Sequence, residues 1–210
     1  HPRKRYPLMS TSNTSVTRKG FLAGTAGVIA GFPTLVHASV LGRGGYTAPS
    51  NRVTVGMIGT GKMANDYHLP TLIDFRDVQI LAVCDVDTTR RLAAQNRVLS
   101  NYDKQGRSGA RVDVYNDFRD VIGRKDIDAV CIATPEHWHA IPVIEAAKAG
   151  KDIYCEKPLT LTLLEAKRCI EAVRKHKRVM QTGSQQRSNV FGPFREACEF
   201  VRSGRIGTVK

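Results

Sequence analysis

A β-branched apolar run that leads directly into closely spaced glycines restricts the fold of this chain most. Residues 53–58 are followed at once by Gly59-x-Gly61-x-x-Ala64. Gly59 permits a tight turn, Gly61 lets phosphate approach the backbone, and Ala64 keeps the next helix close to the sheet. Unpaired N–H groups at the start of that helix attract an anion. The pattern indicates a strand, turn and helix that bind a dinucleotide pyrophosphate, although an ordinary tight turn has the same glycines.

A second apolar segment, Val78–Cys84, ends on the acidic residue Asp85. A carboxylate at the tip of the second parallel strand accepts the ribose hydroxyls of adenosine and repels a 2′-phosphate. Asp85 therefore predicts NAD in preference to NADP. The alternative is a helix N-cap or a solvated loop acid, and Asp87 could serve as the N-cap equally well.

Strand-like and helix-like segments alternate along the rest of the chain, which predicts an α/β fold with a doubly wound parallel sheet, the Rossmann arrangement. We expect a helix capped by Asp87 that ends near Leu99, then a polar surface insertion over 101–111. A capping box, Thr162-x-x-Glu165, predicts another helix, with Leu163, Ala166, Ile170 and Val173 on its apolar face. Further predicted strands are 112–115, 127–133, 151–155 and 179–182, and further helices are 117–122 and 140–149.

The net charge of +13 suggests a nucleic-acid partner at first, but its distribution argues against one. Residues 1–52 hold seven Lys and Arg residues and no acid, whereas the remainder has 25 basic and 19 acidic side chains. Much of the remaining excess lies in 174–178, at a predicted helix end where cations suit the dipole. Five cysteines have neither a C-x-x-C pair nor metal-ligand spacing, so we expect reduced, structural thiols and no metal site.

The chain divides into four predicted segments: a leader over 1–38, a linker over 39–51, the dinucleotide-binding domain over 52–183, and the start of a truncated α/β substrate domain over 184–210. The leader resembles a twin-arginine export signal, with Arg18-Lys19 in place of the arginine pair and small residues at 36–38 for cleavage. We therefore expect an exported, periplasmic protein that meets a membrane only through this leader. A cytoplasmic protein, an uncleaved N-terminal anchor and a buried helix are the alternatives.

Unusual residues collect where the predicted strands end. These are Thr134-Pro135-Glu136-His137-Trp138-His139, Glu156-Lys157-Pro158 and Gly183-Ser184-Gln185-Gln186-Arg187. Ligands of open α/β sheets bind beyond the carboxyl ends of the strands. Core packing does not require Glu156 and Lys157 side by side, and the alternative, a surface ion pair, contributes only about 0–1 kcal/mol.

Together these residues resemble the Gfo/Idh/MocA family of glucose–fructose oxidoreductases, inositol dehydrogenases and rhizopine catabolism proteins. The resemblance covers roughly 52–210 and is most specific at Glu156-Lys157-Pro158. It implies NAD-dependent hydride transfer on a sugar, polyol or related carbohydrate, and a homo-oligomer in the full-length protein. Two alternatives stay open: a glycoside hydrolase that uses NAD transiently, and a non-catalytic sugar-binding protein.

The resemblance also implies roles for individual residues. Lys157 would be the catalytic lysine at the carbon that gives or receives hydride. Substrate contacts are expected from His137, Trp138 and Arg187. The expected cofactor-binding residues are Gly59, Thr60, Gly61, Lys62 and Met63 at the pyrophosphate, Asp85 at the ribose, and Thr134, Pro135, His139 and Glu156 around the nicotinamide half.

Overall fold

The computed structural model describes residue 42 and residues 47–107, 109–184 and 193–208. The predicted leader and Arg187 lie outside the described residues. The predicted linker is described only at residue 42 and over 47–51, and the predicted start of a second domain only at Ser184 and over 193–208. Within the described part, no helix combines the length and the hydropathy that crossing a membrane requires.

Six parallel strands in the described residues form one sheet in the order β3-β2-β1-β4-β5-β6. The strands are β1 (Val53–Ile58), β2 (Val78–Cys84), β3 (Asp113–Tyr115), β4 (Ala129–Ile132), β5 (Asp152–Glu156) and β6 (Met180–Gly183). The direction of strand addition reverses between β1 and β4, which is where doubly wound sheets open a crevice for a ligand. The Rossmann prediction is confirmed.

Helices cover both faces of this sheet. They are α1 (Leu69–Asp74), α2 (Thr88–Lys104), α3 (Phe118–Ile122), α4 (Ala140–Lys148) and α5 (Leu163–Lys175), and a π-helical turn, Ala64–His68, leads into α1. A further helix, α6 (Pro193–Arg202), has no buried residue and contributes to neither core. Leu69, Ala94 and Val98 from α1 and α2 pack with Met57 and Ile80 on one face. The other face carries a second core with contributions from α3, α4 and α5. Burial on both faces explains the continuous apolar runs of the strands.

The caps predicted from the sequence are present. The Asp87 carboxylate accepts the N–H groups of Thr89 and Arg90 at the start of α2. At the start of α5, Thr162 and Glu165 form the reciprocal capping box. These local hydrogen bonds satisfy backbone donors that the first helical turn leaves unpaired.

The predicted surface insertion over 101–111 is wrong at its start. Helix α2 continues to Lys104, and Tyr102 is buried, where its hydroxyl oxygen accepts the N–H of Ile80 at 2.8 Å. The neighbouring side chains are polar because that side of the last turn faces solvent. A single buried aromatic among them was too weak a signal of helical periodicity.

The predicted apolar face of α5 is wrong in part. Leu163 is 91% exposed and Ile170 is also exposed, whereas Cys169 is fully buried. Ala172 and Val173 pack against the same core as Cys169. The buried stripe therefore centres on a cysteine, which behaves here as a small apolar residue.

Candidate nucleotide-binding and catalytic site

A cavity of about 750 Å³ lies beyond the carboxyl ends of β1, β2, β3 and β4. Among the residues predicted from the sequence, its lining includes Gly59, Gly61, Lys62, Met63, Asp85, Thr134, Pro135, His137 and Trp138. The fold thus brings three separate sequence segments together around one cavity. Its volume falls within the range of small-molecule and cofactor pockets.

The glycine turn has the geometry that close approach of a phosphate requires. Gly59 has φ +85°, and a Cβ there would lie 2.7 Å from the backbone of Ala133 and Thr134. A Cβ on Gly61 would meet only a guanidinium nitrogen of Arg90, at 3.9 Å. The backbone at Gly61 is therefore open on the cavity side, and the turn fits the diphosphate of a dinucleotide.

Asp85 fastens this turn to the end of β2. Its Oδ2 accepts the backbone N–H of Thr60 at 2.8 Å and the Thr60 hydroxyl at 3.1 Å, while Oδ1 accepts the N–H of Asp87 at 2.9 Å. A carboxylate has about four acceptor positions, so one remains on Oδ1 for a ribose hydroxyl. Thr60 itself is fully buried and contributes to the site through Asp85.

The short 3₁₀ turn Glu136–Trp138 forms another part of the cavity wall. His137 and Trp138 line the cavity, and Trp138 is 47% exposed. Just before this turn, the hydroxyl of Thr134 is buried with no hydrogen-bond partner in the described structure. A buried hydroxyl without a partner is unfavourable, which marks Thr134 as a polar position that a bound ligand could satisfy.

His139 lies behind the cavity lining and is only 1% exposed. Its Nε2 is 2.7 Å from the carbonyl oxygen of Thr134, and its Nδ1 is 2.8 Å from that of Pro158. Carbonyl oxygens only accept, and a neutral imidazole donates from one nitrogen at a time. His139 therefore donates to one of these two carbonyl oxygens and only contacts the other, and it packs between the loop after β4 and the loop after β5.

Glu156 and Lys157 occupy different environments at the end of β5. Glu156 is 4% exposed, whereas Lys157 is exposed and lies outside the cavity lining. One carboxylate oxygen of Glu156, Oε2, accepts the backbone N–H of Lys157 at 3.1 Å. The other, Oε1, lies 2.7 Å from Nε2 of His68.

His68, which the sequence analysis did not single out, is buried at the end of the π-helical turn. Burial lowers the pKa of its imidazole below the usual 6.5, and the nearby Glu156 carboxylate partly opposes this shift. The ring also contacts the edge of Tyr154, with 5.2 Å between ring centroids. No local sequence signal predicts this histidine, because its partners come from a strand far along the chain.

Several cavity residues were missed because they follow strand ends without a recognisable motif. They are Arg90, Asn116, Asp117, Phe118 and Arg119. The Arg119 guanidinium lies 4.6 Å from the Phe118 ring centroid. Hydrogen bonds from the Arg119 backbone and side chain lower the pKa of Asp117. The signal that the sequence carries for them is a position after β2 and β3, at the edge where ligands bind, and many surface residues share such a position.

Four buried cysteines are held as neutral thiols. Burial raises the pKa of Cys84 and Cys155 to about 12 and that of Cys169 to about 11, and it also raises the pKa of Cys131. Within the described residues, no group of three or more His, Cys, Asp or Glu side chains could hold a metal ion. The polar part of the cavity lining comes from the glycine turn and from charged side chains, among them Asp85, Arg90 and Arg119.

A family model for the oxidoreductase family with an NAD-binding Rossmann fold, GFO_IDH_MocA, matches residues 53–184. The chain belongs to the Gfo/Idh/MocA family. Its Rossmann domain is therefore an NAD(P)-binding domain, in agreement with the glycine turn and the parallel sheet.

Proteins and solved structures that are similar to this chain include inositol dehydrogenases and a glycosyl hydrolase family protein. The inositol 2-dehydrogenase of Salmonella typhimurium is 33% identical over 154 residues, which are 72% of this chain and 42% of that protein. A glycosyl hydrolase family 109 protein of Shewanella baltica is 33% identical over 134 residues, 62% of this chain and 28% of that protein. The crystal structure of myo-inositol 2-dehydrogenase from Lactobacillus plantarum has a TM-score of 0.63 at 26% identity, covering 75% of this chain and 43% of that one. The chain thus spans less than half the length of these relatives.

Proposed function

We propose that this protein is an oxidoreductase that transfers a hydride between NAD and a sugar, polyol or related carbohydrate. The observation that carries the proposal is the proximity in the sheet of the glycine turn and the Glu-Lys-Pro turn. β4 pairs in parallel with β5 so that Ile132 lies opposite Cys155. Lys157, two residues after Cys155, therefore follows the sheet edge beside Thr134, which lines the cavity.

Different residues of the chain would bind the diphosphate and the adenosine ribose of the nucleotide. Backbone groups of the turn at Gly59 and Gly61, with Lys62 and Met63, would hold the diphosphate. The open acceptor position of Asp85 would accept a hydroxyl of the adenosine ribose, which favours NAD because a 2′-phosphate would meet the same carboxylate. Arg90 also lines the cavity and is the natural competitor of Asp85 in this choice, since a guanidinium attracts phosphate.

Lys157 carries the proposed chemistry. When bound, the nicotinamide ring accepts or returns a hydride at the substrate carbon. When the carbonyl is reduced, the Lys157 ammonium would stabilise the negative charge that develops on the oxygen and donate a proton to it. When the hydroxyl is oxidised, the neutral Lys157 amine would accept the proton that the hydroxyl loses. His137 and Trp138 would contact the substrate on the exposed side of the cavity, with Arg187 as a further proposed contact.

The test uses the full-length protein with myo-inositol and a panel of free sugars, and follows the absorbance of NADH or NADPH. We expect faster turnover with NAD⁺ than with NADP⁺. Lys157→Ala should lower kcat by roughly 10²- to 10⁴-fold, the usual contribution of a proton-transferring group, with little change in the Kd for NAD⁺. Lys167→Ala, at an exposed position on α5, is the matched control. Unchanged turnover in Lys157→Ala would refute the catalytic assignment of this lysine. Sugar binding without turnover of any compound by the wild type would favour a non-catalytic sugar-binding protein.

A glycoside hydrolase that oxidises its substrate transiently is the second candidate, favoured by the similarity to the family 109 protein. Such an enzyme returns the hydride, so NADH does not accumulate. Assays with p-nitrophenyl glycosides therefore separate the two candidates. Release of nitrophenol without net NADH formation would replace the dehydrogenase proposal.

We further propose that the protein is exported in a folded state, retains its nucleotide tightly, and assembles as a homo-oligomer. The leader motif supports export, and an exported protein has no free NADH pool from which to draw. Denaturing the purified full-length protein should release about one nucleotide per chain. Finding no nucleotide in the supernatant would contradict tight retention.

A further inference from the structure

We infer that His68 is a positioning residue for Lys157 and that it acts through the buried carboxylate of Glu156. The inference rests on the proposed function, because it assigns His68 a role in the reaction of Lys157. His68 belongs to the π-helical turn that follows the glycine turn, whereas Glu156 ends β5. The contact therefore joins the nucleotide-binding segment directly to the proposed catalytic turn.

The two oxygens of Glu156 have separate contacts. Oε1 lies 2.7 Å from Nε2 of His68, and Oε2 accepts the backbone N–H of Lys157 at 3.1 Å. The short distance is an ion-pair contact, and within the described structure this ring nitrogen makes no hydrogen bond of regular geometry. Glu156 is thus the polar group available to this buried ring nitrogen.

The packing around the pair leaves the carboxylate little room to move. Tyr154 contacts the His68 ring edge-on from the same strand as Glu156. On β6, a Cβ at Gly183 would lie 2.8 Å from Oε1 of Glu156 and 2.9 Å from the hydroxyl of Tyr154. Three elements therefore converge on this carboxylate, and removing the His68 contact would release one of its constraints.

His139 fixes the opposite side of the same turn. Its Nδ1 contacts the carbonyl oxygen of Pro158, so the residues before and after Lys157 are each held by a buried histidine contact. The amine of Lys157 is exposed, but its backbone is anchored on both sides. A lysine on a long flexible side chain needs such an anchored backbone if its amine is to reach one atom of a substrate, since displacements near 1 Å cost roughly 100-fold in rate.

The experiment compares two amide side chains of different length, glutamine and asparagine, at position 68. Glutamine places its amide nitrogen near the position of the histidine Nε2, whereas asparagine is too short to reach Glu156. In the full-length protein, His68→Asn should lower kcat by roughly 10- to 100-fold with the Kd for NAD⁺ within about twofold of wild type. His68→Gln should restore most of kcat. His176→Asn, at the C-cap of α5, controls for a histidine replacement away from the site.

Amide hydrogen exchange supplies a readout that does not depend on activity. His68→Asn should accelerate exchange of the Lys157 amide, whose acceptor is Glu156, while His68→Gln and His176→Asn should not. Equal kcat and equal Lys157 exchange in all variants would overturn the inference. A loss in His68→Asn that appears only as a weaker Kd for NAD⁺ would also overturn it and assign His68 to nucleotide binding. The wild-type protein could turn over no carbohydrate while the exchange rate of the Lys157 amide still depends on the residue at position 68. That result would support the anchoring of Lys157 by His68 and Glu156 and would refute the proposed reaction.

Discussion

Replacing Gly59 with alanine tests whether this glycine is required by backbone geometry and close packing together. Its φ of +85° lies in the left-handed region, where a residue with a Cβ is less stable by about 1–2 kcal/mol. The added Cβ would also lie 2.7 Å from backbone atoms of Ala133 and Thr134, well inside ordinary contact distance. Overpacking of this kind costs about 1–3 kcal/mol. We therefore expect Gly59→Ala to lower the free energy of unfolding by about 2–5 kcal/mol, a large part of a typical domain's stability.

Two other glycines provide matched controls. Gly150 has φ +80°, and a Cβ added there would have no neighbouring atom within 4 Å, so Gly150→Ala should cost only the backbone contribution of about 1–2 kcal/mol. Gly61 lacks both features, so Gly61→Ala should change stability by less than about 0.5 kcal/mol. Its Cβ would nevertheless stand where phosphate approaches, and the Kd for NAD⁺ should rise about tenfold or more, or about 1.4 kcal/mol.

Denaturant unfolding measures the three stabilities, and titration calorimetry with NAD⁺ measures the affinities. Equal destabilisation in Gly59→Ala and Gly150→Ala would refute the close-packing argument. Wild-type affinity in Gly61→Ala would refute the assignment of this turn to the diphosphate.

Three further predictions concern buried polar groups. Burial lowers the pKa of His68 below 6.5, so the unfolded chain binds this proton more tightly than the folded protein does. The free energy of unfolding should therefore fall as the pH drops from 6.5 through the folded-state pKa. Denaturation curves of His68→Gln, recorded over the same pH range, should lack this contribution. At mildly alkaline pH a thiol reagent should modify exposed Cys198 rapidly and the four buried cysteines only after unfolding. Rapid modification of all five thiols would contradict the burial of those four. The Lys151 amine donates hydrogen bonds to the carbonyl oxygens of Arg124 and Ile127. Lys151→Met should therefore lower the free energy of unfolding by about 1–3 kcal/mol, measured with denaturant. An unchanged unfolding midpoint would show that these hydrogen bonds contribute nothing to stability.

The parts of the fold that the sequence predicted well are those encoded locally. Strands buried on both faces appear as short apolar runs, and the caps at Asp87 and Thr162 satisfy backbone groups within a few residues. The end of α2 was mispredicted because its last turn faces solvent except at Tyr102, whose place in the core depends on Ile80 of β2. Contacts of that kind join distant segments and leave no periodic pattern.

The candidate site likewise contains residues that a local sequence pattern predicts and residues that only the folded structure brings together. Gly59 and Gly61 could be found because two closely spaced glycines directly after an apolar run form a local pattern, and Asp85 could be found because it directly follows the next apolar run. Arg90 and Arg119 could not, since an arginine after a strand end is common on any surface and only the folded sheet brings these two to one cavity. The contact of Thr60 with the Asp85 carboxylate was similarly hidden, because Thr60 is fully buried and lies outside the cavity lining.

The pairing of Glu156 with Lys157 in sequence has a structural reason different from an ion pair between neighbours. Successive residues at a strand end point to opposite sides, so one can be buried while the next is exposed. Here the buried carboxylate meets His68 and the Lys157 backbone, and the lysine amine is left on the exposed side. Exchanging the two residues would bury an amine beside His68 and expose a carboxylate where the proposed chemistry needs a positive charge. Their order in the chain therefore matters as much as their identity, because the buried position is the one whose side chain lies beside the ring nitrogen of His68.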